Sequence, residues 1–184
     1  MKVQHLSVFC VWFYQALVMN WRILIVLVSA FTIWAWEIPV FAQAAKYAPP
    51  PSYSNAELRK HDFSGQTLGS AEFSNANLDQ SNFSNANARG AVFSASVLTD
   101  ATLHGADLSN AMLDQVNFKG ADLSDANLTE SILLRSTFKD VDITGTDFSE
   151  AILDRAQVRE LCELATGVNS KTGTDTRYSL GCRD

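Results

Sequence analysis

A large apolar residue returns at every fifth position from Leu58 to Val158, and very few folds can use such a period. The series runs Leu58, Phe63, Leu68, Phe73 and onward through Phe118 and Phe148, and only Ala88 breaks it with a small side chain. The residue two places earlier is usually small, as at Ala71, Ala76, Ala91, Ala106 and Ala121, with Ser81, Ser96, Ser131 and Ser136 among the rest. An amphipathic helix needs apolar positions about 3.6 apart, and a half-buried strand needs them two apart. A step of five satisfies neither alone. It does suit a chain that turns one small and one large residue inward, two apart as on a strand, and then bends. Gly65, Gly90, Gly105, Gly120 and Gly145 all stand just before a small inward place, where a corner relaxes the limits on the backbone. No proline occurs between residues 56 and 160, so every backbone N–H there is free to bond to a neighbouring coil. Such units bury their apolar face only against each other, which defines a solenoid.

The remaining composition divides the chain in two. Over all 184 residues the hydrophobic share is 47%, the charged share 18% and the formal charge -6. That balance excludes a disordered chain and a general nucleic-acid binder, which needs surplus cations to displace counterions. Much of the apolar content is concentrated in residues 1–44, predicted as a signal peptide or membrane anchor. There Asn20-Trp21-Arg22 precedes an apolar run from Ile23 to Trp36, and the small-residue exit Val40-Phe41-Ala42-Gln43-Ala44 follows. A basic start, an apolar middle and a small-x-small exit describe an export signal, cleaved after Ala42 or Ala44. A second apolar run from Val8 to Val18 leaves Met19 as an alternative start. The combined stretch is also long enough to anchor uncleaved in a bilayer. A buried core helix is the remaining possibility, and the periodic domain offers it no place. Residues 45–55, with Pro49-Pro50-Pro51, form a proline-containing spacer. The repeat fills 56–160 and a C-terminal cap fills 161–184.

The units Ala106-Asp107-Leu108-Ser109-Asn110 and Ala121-Asp122-Leu123-Ser124-Asp125 carry a recurring motif: Ala, then Asp or Asn, then Leu or Phe, then two variable residues. In this the chain resembles the pentapeptide-repeat family. The resemblance implies an all-β solenoid, a right-handed quadrilateral β-helix with four units per coil. On that plan the 21 units make about five coils, some 25 Å long at the ~4.8 Å strand spacing. The plan stacks Phe63 with Phe83, Phe73 with Phe93 and Phe118 with Phe138, and places a narrow gap or a shifted neighbour at Ala88. His61 and Gln66 fall in small inward places of the first coil, where an open end lets polar groups reach water.

A solenoid must cover its last coil, or the exposed edge recruits another chain. Asp154 to Ala165 is predicted as a short helix, with Val158, Leu161, Cys162 and Ala165 on one side and Gly167 as its stop. The helix and the five-step overlap at Val158. Beyond it, Asn169 to Arg177 is rich in turn formers. Removing the address segment and its Cys10 leaves Cys162 and Cys182, an even pair that reads as a disulfide in an exported protein. Metal binding by the two thiols would lack a nearby histidine, since His61 and His104 are distant in sequence, and a redox pair would lack Cys-x-x-Cys spacing. The tail, with Leu161-Cys162, Thr172-Gly173 and Ser179-Leu180-Gly181-Cys182, is similar to that of exported thylakoid-lumen pentapeptide-repeat proteins of cyanobacteria and chloroplasts. That similarity implies the thylakoid lumen, with the periplasm as the alternative compartment.

For function, the residues point away from catalysis. Neither His61 nor His104 lies near a serine and a carboxylate in a recognisable order, and no glycine-rich phosphate loop is present. No catalytic residue, cofactor or metal is expected. Some cytoplasmic members of the resembled family act on DNA gyrase as acidic duplex mimics. The sixteen acidic against eight basic residues of 56–160 have the right sign, but the export signal does not fit that partner. The sharpest feature is a break in the motif. The outward place before each large residue is normally Asp or Asn, yet Val92, Met112, Ile132 and Ile152 occupy it at intervals of twenty. They share one face, with Leu134 beside Ile132 and Val97 on the adjoining face. Apolar stripes of this kind mark contacts, although a ladder of β-favouring side chains without a partner would look the same. The expectation is a non-enzymatic interaction or structural module. Its partner is a protein, either a membrane-associated complex or a second copy, with membrane contact only through an uncleaved N-terminal segment. A redox-responsive lumen factor switched at Cys162–Cys182 is a further alternative.

Overall fold

In the computed structural model, residues 49–183 are described, and the predicted address segment with Cys10 and Met19 lies outside them. Parallel bridges join residues twenty apart, from Ser52–Glu72 to Ile132–Ile152, around four faces. The ladder is regular. Leu58 N–H donates to Asn77 O at 2.8 Å, and Asn77 N–H donates back to Ala56 O at 2.9 Å. The result is a right-handed quadrilateral β-helix, each side of which is a three-residue extended step.

Corners close when the N–H of a small residue donates to the large residue three places back, as Ala76 N–H does to Phe73 O at 3.0 Å; at Val116 the N–H donates to Ser136 Oγ instead, which in turn donates to Leu113 O. The residue before the small one has positive φ at every corner from Asn55 to Glu150. Glycine fills five of these places, and fifteen are other residues with φ between 52° and 64°. The left-handed requirement therefore falls on the whole series and not on the glycines alone. A second local device comes from the outward Asp or Asn, whose Oδ1 accepts the N–H two residues on, as in Ser109 to Asp107 at 3.0 Å and Ser149 to Asp147 at 2.9 Å. This Asx bond starts the corner, which is why the motif favours those two amino acids.

The large residues from Phe63 to Phe148 are buried, and so are the small ones opposite them from Ala71 onward. Each such burial contributes about 1.5–3 kcal/mol of transfer free energy. The aromatic columns form as the twenty-residue period requires: Phe63 stacks with Phe83 and Phe73 with Phe93 at 4.8 Å, and Phe118 with Phe138 at 5.5 Å. Ala88 is fully buried, and its N–H still reaches Asp107 O at 2.8 Å, so the backbone register passes through it unchanged. His61 and Gln66 are exposed in the first coil.

Both borders of the repeat differ from those expected from sequence. At the start, Tyr53 takes a large inward place and stacks on Phe73 at 4.9 Å, while Pro51 O accepts Glu72 N–H, so the end of the spacer belongs to the first coil. At the finish, Leu153 is the last inward residue and Val158 lies in helix α1, Arg155–Leu164. Asp154 decides this. It accepts from Ala156 and Gln157 N–H while Gln157 Oε1 accepts from Asp154 N–H, a reciprocal cap that starts a helix. The cap therefore begins at Asp154 and not at 161. Gln157 Nε2 then donates to Leu133 O at 2.8 Å and Ser136 O at 2.9 Å, closing carbonyls of the last coil, and Leu161 and Ala165 bury over it.

Candidate functional site

The outward apolar residues form one ladder. Met112 N–H donates to Ala91 O at 2.9 Å, Ile132 N–H to Ala111 O at 3.0 Å and Ile152 N–H to Ser131 O at 2.8 Å. Bridges join Val92 to Met112, Met112 to Ile132, and Ile132 to Ile152. Met112 is 43% exposed and Ile152 49%, while Val92, Ile132 and Leu134 are half-buried. Glu72 precedes Val92 on the same face and ends the apolar run. Val97 is exposed on the next face, where its rungs are Asn77 and Asn117, so it adds no second ladder.

An apolar residue in this slot forgoes the Asx bond that Asp or Asn would make there. The other faces show the alternative, with Asn82, Asn87, Asp107, Asp122, Asn127, Asp142 and Asp147 all accepting from their own corner. A local hydrogen bond of this type contributes about 0.5–1.5 kcal/mol. Three rungs, at Val92, Met112 and Ile132, give it up; at the fourth, the Asp154 N–H is served by Gln157 instead.

The strip has distinct rims. On the corner entering it lie Arg89, Asn110, Glu130 and Glu150, and on the corner leaving it lie Asp114, Gln115, Leu134 and Arg135, while Arg155 opens helix α1 above them. Arg89 donates to Ser109 Oγ at 3.0 Å, and the Asn110 amide bridges Arg89 at 3.3 Å and Glu130 at 2.8 Å. A hydrogen bond from Ser94 at 2.6 Å, together with the nearby Arg135, holds the Asp114 carboxyl below its ordinary pKa.

Cys162 and Cys182 are joined, with Cα atoms 5.6 Å apart. The segment between them does more than cover the last coil. A hairpin bridged at Val168 and Asp175 lies along the corner column of Asn85, Gly105, Asp125 and Gly145. Asn169 Nδ2 donates to Asp125 O at 3.0 Å, Ala126 O at 3.1 Å and Gly145 O at 2.8 Å, and Lys171 Nζ donates to Gly105 O and Asn85 Oδ1. Gly145 and Gly167 permit the approach: a Cβ on Gly167 would stand 3.0 Å from Gly145 N. Sequence reading found the turn-rich character of this strap but not its reach, since nothing in a turn signal says which corner it lies on.

The structure also brings together a group that linear inspection missed. His104 Nδ1 lies 2.9 Å from Ser124 Oγ, and Ser124 Oγ donates to Asp122 Oδ1 at 2.6 Å. The signal was the twenty-residue step from 104 to 124. The order is wrong for nucleophilic catalysis. With the hydroxyl proton committed to Asp122, the imidazole must donate to Ser124, whereas a base needs its lone pair there and its other nitrogen held by the carboxylate. Among the described residues, no group of three or more His, Cys, Asp or Glu side chains is gathered as a metal site would require.

The fold and face together define a solenoid of pentapeptide units carrying one apolar ladder. The family model for pentapeptide repeats matches residues 54–85, 77–115 and 121–157, and the chain belongs to that family. A pentapeptide-repeat protein from the Arabidopsis thaliana thylakoid lumen superposes with a TM-score of 0.72 at 37% identity, covering 77% of this chain and all of that one. The chloroplast thylakoid lumenal protein TL20.3 of Arabidopsis thaliana is 58% identical over 38 residues, a segment spanning 21% of this chain and 14% of that protein. A pentapeptide-repeat protein from Nostoc PCC 7120 has 22% identity and a TM-score of 0.49 over 64% of this chain and 95% of that one.

Proposed function

We propose that this protein is an exported, non-catalytic scaffold of the thylakoid lumen that docks a partner through Val92, Met112, Ile132, Leu134 and Ile152. The observation that carries the reading is the ladder itself. Three successive rungs give up a local hydrogen bond to present apolar groups to solvent, and covering them is what would offset that loss. The export pattern of residues 1–44 and the lumenal relatives support this compartment. The acidic-mimic reading has only the sign of the charge in its favour, and its Asp107, Asp122, Asp142 and Asp147 serve local corners. A photo-crosslinking residue at Met112 in the native cell should give a discrete adduct, and the same residue at Asn77 on the neighbouring face should not. Equal labelling from both faces, or none from Met112, would sink the docking role.

A second reading rests on the disulfide. The bond closes a loop of twenty residues that includes the whole strap, so reduction would loosen the strap's hold on the Asn85–Gly145 column. If the protein responds to redox state in this way, reduction should raise hydrogen exchange at Gly105 and Gly145 while the Met112 ladder stays protected. Protection unchanged at all of these sites would remove this reading.

A further inference from the structure

We propose that the occupant of the apolar ladder is a second copy of this chain, seated strip against strip about a two-fold axis parallel to the coil axis. This rests on the docking reading above and adds the identity and orientation of the partner.

The rims carry the argument. At the Ile132 rung the entering corner bears Glu130 and the leaving corner bears Arg135, both exposed, and Glu150 stands above Glu130 in the same corner column. Among the described residues neither Glu130 nor Arg135 forms an ion pair; Glu130 accepts from Asn110, and Arg135 lies near Asp114 of its own chain. A two-fold axis along the coil exchanges the left and right rims at constant height. Glu130 then faces Arg135 of the second copy, twice by symmetry. Met112 meets its own counterpart, as does Ile132, so the apolar rungs align without a step. Opposed charges around an apolar centre set the register of such contacts.

The other isologous arrangement, with the axis along the strands, fits less well. It pairs Arg89 with Glu150 and Asp114 with Arg135 across the interface. Arg89 is already held by Ser109 and Asn110, and Asp114 by Ser94. It also sets Glu130 against Asn110, leaving that anion without an opposite charge. A strip only four rungs tall belongs to the small interface class, below about 1,200 Å² in total. The dimer is therefore expected to be weak, to depend on protein concentration, and to weaken with salt as its rim pairs are screened.

The test uses the full chain with Cys10→Ser, so that Cys162–Cys182 holds the remaining thiols. Sedimentation velocity over a concentration series should show a reversible monomer–dimer equilibrium. Ile132→Asp should weaken it at least tenfold. Glu130→Arg should weaken it, and the double change Glu130→Arg/Arg135→Glu should restore it, a rescue that damage to the fold could not produce. Ile132→Cys alone should be joined to itself by a short bis-maleimide, and likewise Met112→Cys alone. Cross-linking confined to mixtures of the two variants would overturn the parallel axis. A monomer at every concentration, with the Met112 photoprobe still trapping a different protein in cells, would overturn self-pairing and leave docking standing. No adduct of any kind from Met112 would remove both.

Discussion

Ser96 occupies a small inward slot with its hydroxyl buried and without a hydrogen-bond partner among the described residues. Ser81 and Ser131 hold the same slot in other units and donate to Leu78 O at 2.6 Å and Leu128 O at 2.7 Å. The same amino acid is therefore an expense at one place and neutral at another. Ser96→Ala should raise stability by about 1 kcal/mol, and Ser131→Ala should lower it by about 0.5–1 kcal/mol, as an unpartnered buried hydroxyl differs from a bonded one. Urea unfolding of the two variants checks this, and a less stable Ser96→Ala protein would refute it. The corner place offers a second case. Ala95 has φ of 57°, a region that disfavours a residue with a Cβ and lacking a polar side chain. Ala95→Gly should stabilise by roughly 0.5–1 kcal/mol, the relief of strain exceeding the entropy lost by glycine. A lower midpoint in thermal unfolding would show the corner to be unstrained. Residue-level legibility divides along the same line. The inward slots were readable because burial admits few side chains. The corner conformation was readable only where glycine marks it, because Lys60, Gln80 and Arg135 hold it too and carry no such signal.

Among the elements, helix α1 was legible from Asp154 to Ala165 because capping and periodicity agree there, and its cap explains why the five-step ends one unit before Val158. Strap placement was illegible because it depends on which corner column has room, a property of residues 24 to 86 positions upstream. Asp147 ties the strap to the coils. Burial acts to raise its carboxyl pKa, but hydrogen bonds from Ser149 and from Thr172 and Thr174 of the strap outweigh that and hold it below the ordinary 3.8. A carboxyl that titrates lower when folded contributes stability that is complete above its unfolded value and is lost as pH falls through the folded one. The strap should therefore hold without change down to about pH 5 and loosen below about pH 4, since the unfolded carboxyl titrates near 3.9. Hydrogen exchange at Thr172 and Thr174 measures the effect. Asp147→Asn should flatten the acid limb of that profile, and an unchanged limb would assign the loss to other carboxylates.

At the scale of the whole molecule, the twenty-residue period does what the five-residue period cannot. Five sets the inward and outward places, whereas twenty decides which outward places share a face. The apolar ladder, the Asn and Asp columns and the corner under the strap are all properties of twenty. That is why the ladder was legible before any coordinates, and why His104–Ser124 was missed when residues were compared only along the chain. In a solenoid, stability is close to a sum over coils and their interfaces, so the two periods can be separated by deletion. Removing residues 71–90 takes out one full coil. It joins Ser70 to Ala91, keeps every column in place, leaves Val92 to Ile152 untouched, and removes only the Lys171–Asn85 bond from the strap's contacts. That variant should fold with the same circular dichroism per residue, melt lower because one coil interface is gone, and keep the self-association of the intact chain. Removing only 71–75 takes out one pentapeptide. The inward pattern survives, but the first coil turns by one face against the rest, so Leu58 and Tyr53 shift to new columns beneath Phe83 and Leu78. The ladder lies wholly above that cut, so self-association should persist while the Tyr53–Phe73 stack is lost and the first coil loosens. Equal loss of structure in both deletions would mean that the coil is not the unit of cooperation. A shorter deletion that melts no lower than expected for five fewer residues would mean that the aromatic columns contribute nothing beyond burial.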